Sequence, residues 1–285
     1  MMGTVLTAAG IMTSLAMVFA VILAVTYKYM KVEEDPRIDQ VEDLLPGTNC
    51  GACGTPGCRA FGESLLTGDS IPAQCTVSSS DQLSTLAAFL GVDAGSVEKT
   101  VARLHCAGGK GFVEELAQYK GIKSCRGAVL VNGGGRACVW GCLGLGDCES
   151  SCGFNAIHMN DQGLPVVDTD KCTACNDCVE VCPLDLFSLQ PLSQNLLVQC
   201  NNPLAGDDAR ELCSVACDAC GRCVVDAASG SMVMEQGLPR ILDPQQTNHS
   251  ATFRCPTGAI VWLEKNQFET IAEIERREYV AANSP

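Results

Sequence analysis

The chain opens on an uninterrupted apolar run. Residues 1 to 27 carry no charged side chain. Val5 to Thr26 is long enough to cross a hydrocarbon layer as a helix, which takes about 20 residues. A cleaved leader would begin on basic residues and end at a small-residue cleavage site, and neither is present. Lys28 and Lys31 follow the run directly, ahead of Glu33, Glu34 and Asp35, so the positive-inside tendency puts the body of the chain in the cytoplasm of a cell (inner) membrane protein crossing once. Ala16, Ala20 and Ala24 share one helical face, a spacing that seats against another membrane helix. Beyond a hinge at Pro36 the apolar positions come in short bursts. Ser79 and Ser80 offer N-caps for an amphipathic helix through Phe89, closed by Gly91. Residues 97–105 alternate loosely like a strand, and Phe112 to Tyr119 reads as a short helix stopped by Gly121. Gly163 to Asp168 reads as a turn and short strand, and Glu269 to Val280 as a charged helix. The pattern predicts an α+β protein of small units.

Such short elements make a poor conventional core, because only 5% of the 285 residues are aromatic. Twenty residues are cysteine, so metal ligation would supply folding free energy in its place. A net charge of −14 leaves no basic surface for phosphates and excludes most nucleic-acid binding.

The cysteine spacing narrows the metal. Cys172-x2-Cys175-x2-Cys178-x3-Cys182-Pro183 has the bacterial ferredoxin spacing, in which three close thiolates hold one iron–sulfur cluster and the fourth crosses to its neighbour. Cys138-x3-Cys142-x5-Cys148-x3-Cys152 is a stretched counterpart with Gly153 in place of the proline. Together they read as one two-cluster unit: Cys138, Cys142, Cys148 and Cys182 on one [4Fe-4S] cluster, and Cys172, Cys175, Cys178 and Cys152 on the other. A second unit begins at Cys217-x2-Cys220-x2-Cys223 but is degenerate. Ala227 stands where a fourth cysteine would, and Gln245, Asn248 and Ala251 replace the second triplet. Cys217, Cys220, Cys223 and Cys255 remain as a complete set for one cluster. Near the N-terminus, Cys50, Cys53, Cys58 and Cys75 form another, among glycines that permit tight turns and close approach of backbone N–H groups to sulfur. Cys106, Cys125, Cys200 and Cys213 have no close companions. They read either as buried free thiols or as one cluster assembled from distant loops, which would divide all 20 cysteines into quartets and give five clusters. Disulfide frameworks are usually short and secreted, and a zinc-stabilised scaffold would favour isolated ligand pairs.

The apolar span, Glu33-Glu34-Asp35-Pro36, the segment Cys50-Gly-Ala-Cys53-Gly-Thr-Pro-Gly-Cys58 and the downstream ferredoxin spacing together resemble the B subunits of Rnf complexes, over nearly the whole chain. That family comprises membrane-bound, ion-translocating ferredoxin:NAD oxidoreductases. The resemblance implies an electron-relay subunit that accepts electrons from soluble ferredoxin. It would pass them to other membrane, flavin-bearing and iron–sulfur subunits, ending at NAD with coupled sodium or proton movement. Comparable cysteines in longer relatives support the set at 106, 125, 200 and 213. The Cys50 segment alone also resembles one in corrinoid iron–sulfur proteins, so the alternative is the iron–sulfur subunit of a corrinoid- or hydrogenase-linked membrane enzyme.

The layout this predicts is a transmembrane anchor over 1–27, a 4Fe-4S domain over 28–90 and an α/β connector over 91–132. A two-cluster ferredoxin domain over 133–192, a degenerate one-cluster ferredoxin-like domain over 193–265 and a terminal helix over 266–285 complete it. No substrate-transforming site is expected. The glycines at 133–135 and 141–146 do not form a dinucleotide fingerprint, and His105, His158 and His249 are scattered, reading as surface or packing residues. Trp140 and Trp262 are expected to pack near clusters.

Overall fold

The computed structural model describes residues 2–30 and 35–268. Lys31, Glu33, Glu34 and the helix expected over 269–280 lie outside the described residues. Helix α1 (Met2–Met30) takes up the whole apolar run, and its described side chains are all exposed. Such a surface is stable only against another apolar phase.

A small helical unit follows: α2 (Ile38–Leu44), α3 (Cys58–Thr67) and α4 (Ser80–Leu90). Val41, Leu45, Phe61, Leu65 and Leu86 form its core. Of the two candidate caps Ser79 is the one used: its Oγ accepts from the Gln82 N–H, and Gln82 Oε1 completes a capping box by accepting from the Ser79 N–H at 2.9 Å. Gly91 closes the helix in the left-handed conformation at φ 69°.

The remainder repeats one topology twice. In the first copy, β1 (Thr100–Leu104) leads through α5 (Cys125–Val129) and α6 (Asp147–Ser151) to a hairpin of β2 (Ile157–Met159) and β3 (Pro165–Val167). After α7 (Asp177–Val181), β4 (Phe187–Pro191) returns to pair antiparallel with β1, Leu104 opposite Phe187. In the second, β5 (Leu196–Val198) is followed by α8 (Gly206–Leu212), α9 (Arg222–Asp226) and the hairpin β6 (Met232–Glu235)–β7 (Leu238–Ile241). Then α10 (Ser250–Phe253) and β8 (Ile260–Trp262) close the unit on β5. β1 thus belongs to the same folded unit as β4, although its sequence lies in the stretch expected as a connector.

Phe112 to Tyr119 is not helical. Past Val113, whose N–H bonds back to the Gly109 carbonyl, its backbone groups turn to distant segments: the Glu114 N–H to the Leu212 carbonyl at 3.0 Å, and the Leu116 N–H to the Gly135 carbonyl at 2.8 Å. These pairings divert the N–H groups of Glu114, Leu116 and Ala117 from a helical ladder.

The chain after β8 folds back on the first copy. Gln267, 2% exposed, pairs with both polar groups of Leu104: its Oε1 accepts from the N–H at 3.1 Å and its Nε2 donates to the carbonyl at 2.8 Å. Asn266 Oδ1 accepts from the Thr169 N–H and hydroxyl. One amide side chain thereby completes an open strand edge.

Candidate metal centres

The three-cysteine loops have a common backbone. Ala174 and Ala219, each just ahead of the second cysteine, sit at φ 59° and 57°, and Asn176 and Gly221, each just after it, at 76° and 68°. An alanine in the left-handed region costs about 1 kcal/mol, so its recurrence at matching positions marks a shape the loop must hold. The isolated cysteines share a second turn. Asn155, Asp185 and Gly258, three residues after Cys152, Cys182 and Cys255, stand at φ 50°, 50° and 71°. In two of these turns the next N–H donates to sulfur, Ala156 to Cys152 at 3.4 Å and Leu186 to Cys182 at 3.5 Å.

These turns carry the thiols to shared cavities. Cys152, Cys172, Cys175 and Cys178 line one, walled by Ala102, Phe154, Ile157 and Leu189. A second holds Cys125, Cys142, Cys148 and Cys182 against Leu104, Leu186 and Phe187. A third holds Cys106, Cys138, Cys200 and Cys213 with Trp140 and Val113, and Cys142 touches it from the wall. Cys217, Cys223 and Cys255 cluster in the second copy, where burial, then the Cys200, Cys223 and Cys255 charges, raise the Cys217 thiol. Cys220 of that loop is exposed.

In the N-terminal unit, Cys53, Cys58 and Cys75 pack on the same apolar core, with Cys50 at the mouth of the loop. Asn49 Oδ1 accepts from the Cys58 N–H at 2.8 Å. A Cβ on Gly57 would lie 2.9 Å from that oxygen, so a larger residue there would push the Asn49 amide off the Cys58 N–H. Ser78 Oγ donates to Cys75 Sγ at 3.2 Å.

Two cysteines change places relative to the reading from spacing. Cys138 faces Cys106, Cys200 and Cys213, and Cys125 joins Cys142, Cys148 and Cys182. Asp147 accounts for the second. Its Oδ2 accepts from the Ser124 hydroxyl and the Cys125 N–H, both at 2.9 Å, and so pins the start of α5 beside Cys148. The first follows from the extended segment around Val113. Its bridge to Cys213 and the bond from the Ala137 N–H to the Glu114 carbonyl, 2.9 Å, bring Cys138 alongside. In the second copy, Ala251 is fully buried and Ala227 packs on the same core, so side chains occupy the half from which cysteines are missing.

The donor set fits iron–sulfur clusters. All 20 cysteines are free thiols. Among the described residues, no three His, Cys, Asp or Glu side chains converge as closely as one ion demands, whereas thiols ringing an apolar cavity suit a larger polynuclear group. Burial, reinforced by facing thiols, raises Cys148 and Cys178 to about 12 and Cys138 to about 11, and pushes Cys142 and Cys106 upward as well. Such sulfurs ionise near neutrality only when a cation displaces the proton. His105 is a packing residue, its ring nitrogens 2.8 Å from the Val198 carbonyl and 2.7 Å from Ser188 Oγ. His249 stacks on Phe253 and Trp262, and Trp140 packs beside Cys138 and Cys213.

Comparison with known proteins agrees with this donor set. An Fe-S cluster family model matches residues 45–77, and a 4Fe-4S binding domain model matches 165–187. Over 261 residues the chain is 36% identical to the B subunit of the Na(+)-translocating ferredoxin:NAD(+) oxidoreductase complex of Acetobacterium woodii, covering 91% of this chain and 78% of that protein. It belongs to the family of B subunits of ion-translocating oxidoreductase complexes. Another relative, the B subunit of the proton-translocating ferredoxin:NAD(+) oxidoreductase complex of Clostridium ljungdahlii, is 35% identical over 91% of this chain and 93% of its own length. The B subunit of the ion-translocating oxidoreductase complex of Methanosarcina acetivorans is 30% identical, over 88% and 96%. As a member of this family, the chain is an iron–sulfur component of a multi-subunit complex. Among the described residues, one helix is long and apolar enough to cross a membrane, spanning Leu6–Tyr29. Sequence reasoning missed Asp147 and Arg136. Arg136 Nη1 donates to the Cys142 carbonyl and, at 3.2 Å, to the Gly108 carbonyl, but its sequence context carries no ligand spacing to flag it.

Proposed function

We propose that this protein relays electrons, one at a time, between soluble ferredoxin and the flavin- and cluster-bearing membrane subunits of its complex. The path would end at NAD, with sodium or proton translocation coupled to it elsewhere in the assembly. Five [4Fe-4S] clusters would supply the redox chemistry. They would be held by Cys50/53/58/75, Cys152/172/175/178, Cys125/142/148/182, Cys106/138/200/213 and Cys217/220/223/255. In this reading residues 100–191 are a two-cluster bacterial-type ferredoxin module that also recruits a third site. Residues 196–262 are a second module reduced to one cluster, and 35–90 are the N-terminal 4Fe-4S domain.

The proposal is supported by contacts that link the five proposed sites one to the next, in an order different from the sequence. Thr76, next to Cys75, donates its hydroxyl to the Thr173 carbonyl at 2.6 Å, which joins the N-terminal site to the Cys172 loop. Ala102 and Leu104, two residues apart on one face of β1, line the next two cavities side by side. Cys142 lies between the second and third. The link Ser214–Ala216 keeps the Cα atoms of Cys213 and Cys217 within about 14 Å by chain length alone. Electrons from ferredoxin would arrive at the exposed Cys220 end, on the cytoplasmic side, and leave near the anchored end.

The test is anaerobic purification of the full chain with iron and sulfide quantitation and EPR. About twenty of each per chain is expected, four per cluster. A preparation holding zinc in place of iron at these sites would overturn the reading.

A further inference from the structure

Arg103 stands apart from the other charged residues among those described. It is 2% exposed, and among the described residues it is the one buried side chain that carries a charge. No carboxylate pairs with it among the described residues. Its Nη1 donates to the Lys265 carbonyl at 3.0 Å, and its Nε, also buried, has no partner. An arginine stays protonated even here, since burial lowers its pKa from a value far above neutrality. A buried and unpaired cation costs several kcal/mol, so the fold requires a negative charge nearby.

The position of Arg103 indicates which charge. Strand alternation turns Arg103 to the face of β1 opposite Ala102, and the thiol whose charge the guanidinium feels there is Cys172, which with Cys152, Cys175 and Cys178 rings the cavity that Ala102 walls. The strap that receives its hydrogen bond is tied to Thr169, three residues before Cys172. Four thiolates around a cubane carry a net negative charge, which grows by one on reduction. Arg136 is the contrasting case: it is half-buried and its Nη1 is engaged by two carbonyls, so its charge is already solvated by dipoles and water.

We propose that Arg103 is the built-in countercharge of the Cys152/172/175/178 site, a positioning residue that raises the midpoint potential of that site over its neighbours by favouring the reduced form. The inference rests on the relay reading. A fixed positive charge beside the second site in that order makes that site an electron sink on the way to or from the N-terminal domain. The arginine itself neither gains nor loses a proton or an electron.

The experiment is a dithionite-poised EPR redox titration of the full chain and of Arg103→Gln and Arg103→Lys. The signal of this site is identified as the one absent from Cys175→Ser. In Arg103→Gln that signal should shift to lower potential while the others stay, and in Arg103→Lys it should remain near the parent value. Loss of the signal in Arg103→Gln with retention in Arg103→Lys would support the countercharge equally. An unchanged midpoint in Arg103→Gln, or the same shift or loss in both variants, would overturn it, since packing and not charge would then be the cause. If Cys175→Ser removes no iron, the underlying relay reading fails instead, and the parent iron count reveals that separately.

Discussion

The backbone N–H of Cys142 donates to the sulfur of Cys106 at 3.2 Å, and Cys142 also lines the neighbouring cavity, which Cys106 does not reach. One residue thus serves two candidate metal centres: its thiol faces one, and its amide polarises a thiol of the other. N–H groups aimed at a ligating sulfur favour the thiolate and the reduced state of the group it holds. Gly141 leaves room beside both sulfurs: a Cβ there would lie 3.3 Å from Cys138 Sγ and in ordinary contact, 3.6 Å, with Cys106 Sγ.

This arrangement sorts cysteine variants in a way that spacing alone would not. Cys138→Ser should remove the same EPR signal as Cys106→Ser or Cys213→Ser, and Cys125→Ser the same signal as Cys148→Ser or Cys182→Ser. Each should lower the iron content by about four per chain. If Cys138→Ser and Cys148→Ser remove one common signal, the exchange of partners does not occur.

Arg136 holds the same junction from the other side. With Nη1 on the carbonyls of Cys142 and Gly108, it ties together loops of both cavities. Gly108 is itself tightly placed, a Cβ there falling 2.9 Å from Cys213 Sγ. Truncation in Arg136→Ala should cost about 2 kcal/mol, the typical worth of a charged hydrogen bond. Iron should be lost faster from the two adjoining sites than from the Cys50 quartet, as followed by chelator-trapped iron release from single-site variants.

Acidity should act on the metal-loaded and iron-free chains in opposite senses. Loading must displace protons from thiols that burial has raised from 9.0 to about 12 at Cys148, Cys178 and Cys217. Iron retention therefore weakens as pH falls, and release to a chelator should be faster at pH 6 than at pH 8. In the iron-free chain the raised native values mean that the unfolded state gives up its protons first. Stability is then complete below about 9 and declines as pH rises from there towards 12. Urea midpoints of the two forms between pH 7 and 10.5 would reveal both trends.

How far the sequence reveals this fold depends on the range of the interactions concerned. The Ser79 cap of α4, its stop at Gly91 and the apolar α1 are set by residues a few positions apart, and each is as expected. The grouping of Cys125 and Cys138 is set by Asp147 reaching back 22 residues to the Cys125 N–H and by Val113 bridging to Cys213. No local period reports such contacts. The same long-range bonds overrode the helical pattern of Phe112 to Tyr119, whose amides are used by the segments at 133–137 and 212–214.

The longest of these reaches supports the final prediction. Gln267 satisfies the N–H and carbonyl of Leu104 from 163 residues away, and Leu104 lines the Cys125/142/148/182 cavity. Removing the amide in Gln267→Ala leaves a donor and an acceptor buried without partners, at a cost of about 3 kcal/mol for the two together. Gln267→Glu keeps the acceptor and loses the donor, while placing a carboxylate in a buried site, so it should be no better tolerated. Hydrogen exchange at the Leu104 amide should accelerate roughly a hundredfold in Gln267→Ala, the equivalent of that loss in local opening. Exchange at the Leu86 amide, within the separate N-terminal core, should stay at the parent rate. Equal acceleration at both amides would mean that the strap stabilises the whole chain and not the edge of β1.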